Sequence, residues 1–353
     1  MKIVSEEVQI GGRALKLEVG RFAQQATSNV LVSYGQTMVL TTVVASAKET
    51  ELGYFPLSVE YIERLYAGGR IKGSRWVKRE GRPSDEAVLA GRLIDRSIRP
   101  LFPKTYKNEV QIAITVLSVD GENDPDVLGM IGASAALAIS PIQWAGPIGA
   151  VRLGLGQESG ESHFLVNPTD AELAISAMNL VVSCTADKVL MIEAEAKHLP
   201  EAVIVEAIKT AKNESSIFIE AIEKLVKKVG QPKVVVADHE HDEKLVQLLK
   251  EDFSKEIATA AAVRVTKEYG AGTDELIDAI FTAGKEEFDK KQIAEGIDYQ
   301  MKQLLRQDVI KNGKRADGRK LDELRPISCE VGLLPRTHGS AVFARGETQA
   351  LTV

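Results

Sequence analysis

The chain has 353 residues, with 44 Lys plus Arg against 50 Asp plus Glu, a net charge of −6 and only 5% aromatic residues. This is the composition of a globular protein with an aliphatic core, long enough for two domains, and its acidic balance argues against indiscriminate binding to DNA or membranes. No apolar run approaches the ~18 residues of a membrane helix, the N-terminus lacks a signal-peptide layout, and Cys184 and Cys329 form neither a disulfide framework nor a metal site, which points to a reducing cytoplasm.

From the N-terminus, "ALKLEVG", "NVLVSYG", "TMVLTTVVA" and "FPLSVEYI" are β-rich runs separated by Gly or small polar residues. A basic segment follows: Arg64 to Lys107 carry twelve Lys or Arg and four acids, leaving the rest of the chain near −14. A charge run is ordinarily a solvated face, but two details point further. Gly73 and Gly81 bracket "GSRWVKREG", in which Trp76 stands beside Lys78 and Arg79, with Arg82 just after. Cations beside a stacking platform are what single-stranded nucleic acid needs; the alternative is a buried Trp76 with its N–H satisfied. Then Pro83-Ser84 offers an N-cap, Asp85 and Glu86 fall in the first turn, and Pro100 stops the helix. Ala87, Ala90, Gly91, Ile94 and Ile98 make its apolar face, and Arg92, Arg96 and Arg99 cluster opposite. Asp95 offers ordinary helix salt bridges to Arg92 or Arg99, yet three guanidiniums against one carboxylate leave an excess suited to phosphate.

"EVQIAITVLSVD" is another strand, and "DVLGMIGASAALAIS" reads as a buried helix of small residues. Between them, "DGENDPD" places Asp120, Glu122, Asp124 and Asp126 before a helix, where they should repel phosphate; helix capping and a metal loop are the other readings. Strands follow at "GAVRLGL", "HFLVN", "AMNLVVSCT" and "KVLMIEAEA", with Glu193 and Glu195 on one side of the last, and then an amphipathic helix from about Pro200 to Lys228. The fold class is α+β, mixed sheets backed by helices. From 229 to about 312 the chain is charged and helical, and His239 and His241 in "DHEHD" read as surface residues. A polar stretch over 312–327 then opens strand-like sequence. There "SAVFARGETQALTV" repeats the Ser, apolar strand, Gly-x-Thr, apolar strand order of "SNVLVSYGQTMVLTTV". The repeat predicts a second copy of the first domain opening near 317 and stopping in mid-run at Val353. Its strands over 327–353 would then have no sheet to pair against and be disordered or prone to aggregate.

"AGGRIKGS", "KREGRPSDE", "GRLIDRSIRPLFP", "DGENDPDVLGMIGASAALAIS", "VNPTDAEL", "MIEAEA" and "RADGR…LRPI…GLLPRTHGSAVFARGETQAL" resemble the bacterial polyribonucleotide nucleotidyltransferase (polynucleotide phosphorylase) family, in order and over essentially the whole chain. The resemblance implies a first RNase PH-like domain over 1–230, an all-helical domain over 240–312, and the truncated start of a second RNase PH-like domain over 315–353. It implies a homotrimeric cytoplasmic ring that draws single-stranded RNA through an aperture and degrades it 3′-to-5′ with inorganic phosphate and Mg²⁺, and further RNA-degradation partners.

RNA contact falls to Trp76, Lys78, Arg79, Arg82, Arg92, Arg96 and Arg99. "WVKR" departs from the family's pair of phenylalanines, since Val77 cannot stack. The resemblance implies that Arg345, in the second hairpin with His338, lies near the substrate or phosphate. The acidic loop, and Ala177, Met178 and Asn179 where active members carry an Asp, imply a catalytically degenerate first domain, with the catalytic and Mg²⁺-binding residues expected after Val353. The competing class is a non-catalytic RNA-binding ring subunit resembling an exosome core protein.

Overall fold

A computed structural model of the chain describes residues 3–50, 54–71, 73, 81–158, 161–235, 242–266, 273–283, 287–313, 315 and 317–353. The chain divides into two compact units, Met1–Asp238 and His239–Val353.

The first unit holds two sheets. β1 (Val4–Ile10), β2 (Arg13–Val19), β3 (Ser28–Tyr34), β4 (Thr37–Glu49), β5 (Leu57–Ile62) and β6 (Asn108–Ser118) form a six-stranded sheet in the order β1-β2-β3-β4-β6-β5. All its pairings are antiparallel except β5 with β6. That exception needs a crossover, which runs through a 3-10 turn at Leu65–Gly68 and the helix α1 (Asp85–Ile98). After α2 (Pro125–Ile139), the strands β7 (Gly149–Glu158) and β8 (Glu161–Val166), the short helix α3 (Asp170–Ile175), and the strands β9 (Met178–Cys184) and β10 (Val189–Ala196) follow. The four strands make an antiparallel sheet ordered β10-β9-β7-β8.

α2 explains how two sheets share one core. Every residue from Val127 to Ile139 is buried, and the helix touches β3 and β4 of one sheet and β7 of the other. A helix apolar on all sides belongs inside, and its Gly and Ala residues let both sheets approach. α4 (Glu201–Val229) packs on β7, β9, β1 and α2 with the face carrying Ala207, Ala211, Phe218, Ile222 and Leu225.

The C-terminal end of α2 is finished from far along the chain. Lys233 Nζ donates to the carbonyls of Leu137 (2.8 Å), Ala138 (2.9 Å) and Ser140 (2.8 Å). All three ammonium hydrogens are matched to carbonyl oxygens, among them orphan acceptors of the helix end. Burial brings the Lys233 pKa down to about 8.

In the second unit, α5 (Glu243–Glu251), α6 (Ser254–Thr266), α7 (Thr273–Ala283) and α8 (Lys290–Asn312) enclose a separate apolar cluster that includes Leu245, Leu249, Ile257, Ile280, Ile293, Ile297 and Met301. β11 (Ile327–Val331), β12 (Ala341–Arg345) and β13 (Thr348–Thr352) then form an antiparallel three-stranded sheet. This corrects the expectation of unpaired strands over 327–353. The strands pair with one another, and three strands are enough to satisfy the central one on both edges. Their faces are mostly exposed, including Ile327, Val331, Phe343 and Leu351.

Most strand and helix bounds follow the sequence pattern. β1 and α3 did not stand out in it. β1 carries its apolar residues at Val4, Val8 and Ile10 among glutamates, and α3 is only six residues long.

Candidate functional site

The basic helix is built as its sequence dictates. Ser84 Oγ accepts from the Ala87 N–H (3.0 Å) and donates to Glu63 Oε2 (2.7 Å), so the cap also ties α1 to the end of β5. Ala87, Ala90, Gly91, Ile94 and Ile98 are buried. The three arginines on the other side have three different fates. Arg99 grips Asp95 through Nε–Oδ2 (2.8 Å) and Nη2–Oδ1 (2.6 Å), and it also donates to the carbonyls of Phe55 (3.4 Å) and Leu57 (3.0 Å). Arg96 pairs with Glu193 of β10 at 3.0 Å. Arg92 is exposed and has no hydrogen bond or ion pair among the described residues.

Arg99 is therefore a brace between α1 and the start of β5. Arg96 is half neutralised by a carboxylate about a hundred positions away in sequence. Among the described residues, Arg92 is the one helix arginine left without such a pairing. Arg82 is exposed on a groove of about 810 Å³ lined by 61–66, 70, 71 and 81–84 together with Ala87. Trp76, Lys78 and Arg79 lie outside the described residues, as do His239 and His241. Arg345 sits on β12 opposite Thr348, exposed, and His338 is exposed in the connection before it.

The acidic turn is more than a field of negative charge. Asp120 accepts from the N–H groups of Gln36 (2.9 Å), Glu122 (3.0 Å) and Asn123 (2.9 Å), from Asn123 Nδ2 (2.7 Å) and from Thr37 Oγ1 (2.9 Å). Burial alone would raise its pKa, but these donors outweigh it and hold the carboxyl well below the usual carboxylate range. Asp124 is the N-cap of α2, its Oδ1 accepting from the Asp126 N–H (2.8 Å).

The other Asp124 oxygen, Oδ2, lies 2.6 Å from Arg152 Nη2, and Asp126 Oδ2 stands 4.0 Å from the same nitrogen. Arg152 Nη1 donates to Asn179 Oδ1 at 2.7 Å. Burial and then the neighbouring Asp124 charge push Asp126 up to about 7, against the pull of Tyr61 and Arg152. The Tyr61 hydroxyl is pushed above its ordinary range by its own burial and then by Asp126. So the expectation that four carboxylates repel a phosphate is refined. Asp124 is committed to capping α2, Asp120 to bracing the turn at 35–37, and Asp126 is pushed toward its protonated form by burial. The anion-accepting features here, the α2 N-terminus and the buried Arg152, already hold Asp124.

Sequence reasoning missed Arg152. The signal was available as a lone arginine in the apolar run "GAVRLGL", since a buried guanidinium requires a partner. Near it, Asp170, Ser176, Asn179, Glu195 and Lys197 line an open groove of about 470 Å³, where Glu195 faces Asn179 across the β9–β10 pairing and Lys197 Nζ donates to the Ser176 carbonyl (3.1 Å). Among the described residues no group of three or more His, Cys, Asp or Glu is arranged to hold a metal ion, and no helix is long and apolar enough to cross a membrane.

Residues 11–143 match domain 1 of the 3′ exoribonuclease family and residues 146–214 match domain 2. The chain belongs to the 3′ exoribonuclease family. Both family domains fall within the first unit, domain 1 spanning the six-stranded sheet from its Gly11-Gly12 turn through α2, and domain 2 holding the four-stranded sheet. Within this family the chain is 44% identical over 350 residues to the polyribonucleotide nucleotidyltransferase of Caldicellulosiruptor saccharolyticus, covering 98% of this chain and 49% of that protein. It is 43% identical to that of Thermomicrobium roseum (99% of this chain, 45% of that protein) and 41% identical to that of Pelagibacter ubique (100% and 51%). The chain thus spans about half the length of the curated relatives it matches. Rice (Oryza sativa) Rrp46 is a solved structure with 14% identity and a TM-score of 0.48, covering 60% of this chain and 94% of its own.

Proposed function

We propose that this chain is the RNA-handling and assembly half of a phosphorolytic 3′-to-5′ exoribonuclease that releases nucleoside diphosphates from single-stranded RNA and runs in reverse as a polymerase. The identity to polyribonucleotide nucleotidyltransferases over nearly every residue supports the activity of the whole enzyme. The division of labour within it rests on one observation, the Asp124 carboxylate seated on Arg152 at the N-terminus of α2. Phosphorolysis needs an open cradle for inorganic phosphate, and here that position is taken.

In this reading residues 1–230 form a catalytically degenerate RNase PH-like domain, 240–312 an all-helical domain, and 315–353 the opening of a second RNase PH-like domain. Trp76, Lys78, Arg79, Arg82 and Arg92 carry RNA contact. Arg96 and Arg99 add positive field around their structural pairings, and Arg345 belongs to the substrate end of the second domain. The enzyme acts as a cytoplasmic homotrimer. Mg²⁺ would be held by residues beyond Val353 and would offset charge on the phosphate as it attacks.

The test incubates this polypeptide with poly(A), inorganic phosphate and Mg²⁺, beside a longer protein that continues past Val353. The longer protein is expected to release ADP steadily and this chain none above a no-enzyme control. Sustained release from the chain alone would place a working site among its own residues and overturn the division of labour.

A further inference from the structure

The groove of about 810 Å³ beside α1 combines three features. The first is an exposed aromatic ring on a rigid mount. Tyr66 is 59% exposed, with Leu65 and Ile71 exposed beside it at 45% and 95%. Its 3-10 turn is closed by Gly69 in the left-handed region (φ 69°), whose N–H donates to Tyr66 O. The Arg70 N–H donates to Leu65 O (3.0 Å), and the Val119 N–H reaches Ala67 O (2.9 Å), fastening the turn beside the end of β6. A ring held this way loses little conformational freedom when a planar partner stacks on it.

The second feature is charge. Arg64, Arg70 and Arg82 line the groove; among the described lining residues Glu63 is the one acid, and it already accepts from Ser84. The third is continuity. A smaller groove of about 400 Å³ shares Tyr61, Ile62, Pro83 and Ala87 with it and runs to Arg92, the helix arginine with no ion pair among the described residues.

We infer that this groove is a subsite for single-stranded nucleic acid in which Tyr66 is the stacking platform and Arg70 and Arg82 meet the flanking phosphates. The inference rests on the RNA-handling reading and deepens it. The sequence gives the cationic loop one aromatic, Trp76, next to Val77, which cannot stack; Tyr66 supplies a second face from outside that loop. Stacking is indifferent to base identity, whereas arginine–phosphate contact is salt-dependent. The two contributions therefore separate experimentally.

The test measures binding of a short fluorescein-labelled oligoadenylate to the full chain by anisotropy across a salt series. Tyr66→Ala should weaken binding roughly tenfold without changing the salt slope, while Tyr66→Phe should bind as the wild type does. Arg82→Gln should lower the slope by roughly 0.7, the loss of one phosphate contact to a single strand. Should Tyr66→Ala fail to fold, irradiation of the wild type with a 5-iodouridine oligonucleotide decides, since a crosslink at Tyr66 is required. Wild-type affinity and no crosslink at Tyr66, with Lys78→Ala/Arg79→Ala still weakening binding, would overturn the subsite and leave the RNA-handling reading standing. No binding by the wild type would overturn both. A shift of oligomeric state in Tyr66→Ala at unchanged RNA affinity would reassign the groove to contact between copies and end the proposal.

Discussion

The β3–β4 and β12–β13 hairpins share a turn and differ in nearly everything around it. In each, a glycine near φ +60° (59° at Gly35, 60° at Gly346) is followed by one residue and a threonine, and the strands pair across a two-residue loop, Tyr34 with Thr37 and Arg345 with Thr348. Positive φ at the first loop position is what such tight hairpins need. Yet β3 is buried along almost its whole length, whereas β12 buries only Ala344. The first turn is also locked from outside, because the Asp120 carboxylate accepts from Gln36 N and Thr37 Oγ1. Hairpin geometry is thus a local property of the Gly-x-Thr sequence. Burial is conferred by the helix and loop that cover the strands, which in the first unit are α2 and the acidic turn before it.

Changing the two turn glycines should separate those contributions most sharply. A Cβ on Gly35 would stand 2.5 Å from Asn123 Nδ2 and 2.7 Å from Asp120 Oδ2, whereas one on Gly346 would meet only the flexible Arg325 chain, at 3.2 Å from its Cδ. Gly35→Ala should cost about 3 kcal/mol, the left-handed strain plus a broken Asp120 network, and Gly346→Ala about 1 kcal/mol from strain alone. Denaturant unfolding reads the first, and amide exchange over 341–352 reads the second. Equal costs would mean that the acidic turn does not brace the first hairpin.

Core truncation comes next. Val32 is fully buried and Phe343 is 48% exposed. Val32→Ala should cost about 2 kcal/mol for buried methyl groups lost, while Phe343→Ala, though it removes far more atoms, should cost under about 0.5 kcal/mol. Urea melts of the two variants would reverse the proposed contrast if the phenylalanine proved the dearer loss.

The smallest effect concerns the cover itself. The folded Asp126 pKa, raised to about 7, lies above its ordinary value near 4, so the folded state keeps a proton that the unfolded chain releases. This contribution to stability is fully present below about pH 4 and is lost as pH rises through 7. Asp126→Asn cannot ionise. Relative to wild type it should gain about 1–2 kcal/mol between pH 5 and pH 8, a modest figure because the side chain is still partly exposed. Amide exchange in β12–β13 should not respond. Parallel pH profiles of wild type and variant would show that the carboxyl titrates normally.

The legible parts of this molecule were those coded by neighbours in sequence. Ser84 followed by Asp85 and Glu86, with Pro100 at the far end, marked α1 almost to the residue. The Gly-x-Thr repeat marked both hairpins. What could not be read was which distant group would occupy a charge. Arg96 meets Glu193, and Arg152 meets Asp124 and Asn179, across intervals with no periodic signature. Hence the arginine excess of α1 looked like one face for phosphate, whereas Glu193 of β10 on Arg96 and Asp95 on Arg99 leave mainly Arg92. Tyr66 went unremarked for the same reason, since its exposure depends on how a 3-10 turn is pinned to β6.

Lys233 imposes an order of events on biosynthesis. The carbonyls of Leu137, Ala138 and Ser140 wait for a side chain 96, 95 and 93 residues further along. At ordinary translation rates that interval is roughly 5–20 s. Through it, α2 can collect strands on both flanks; Ser140 can serve the Leu137 carbonyl from three residues on, while the Ala138 and Ser140 carbonyls have water or a temporary partner. The ammonium that completes the helix end arrives just after α4, so a ribosome paused anywhere in the four-stranded sheet holds a nascent chain whose central helix still lacks its lysine.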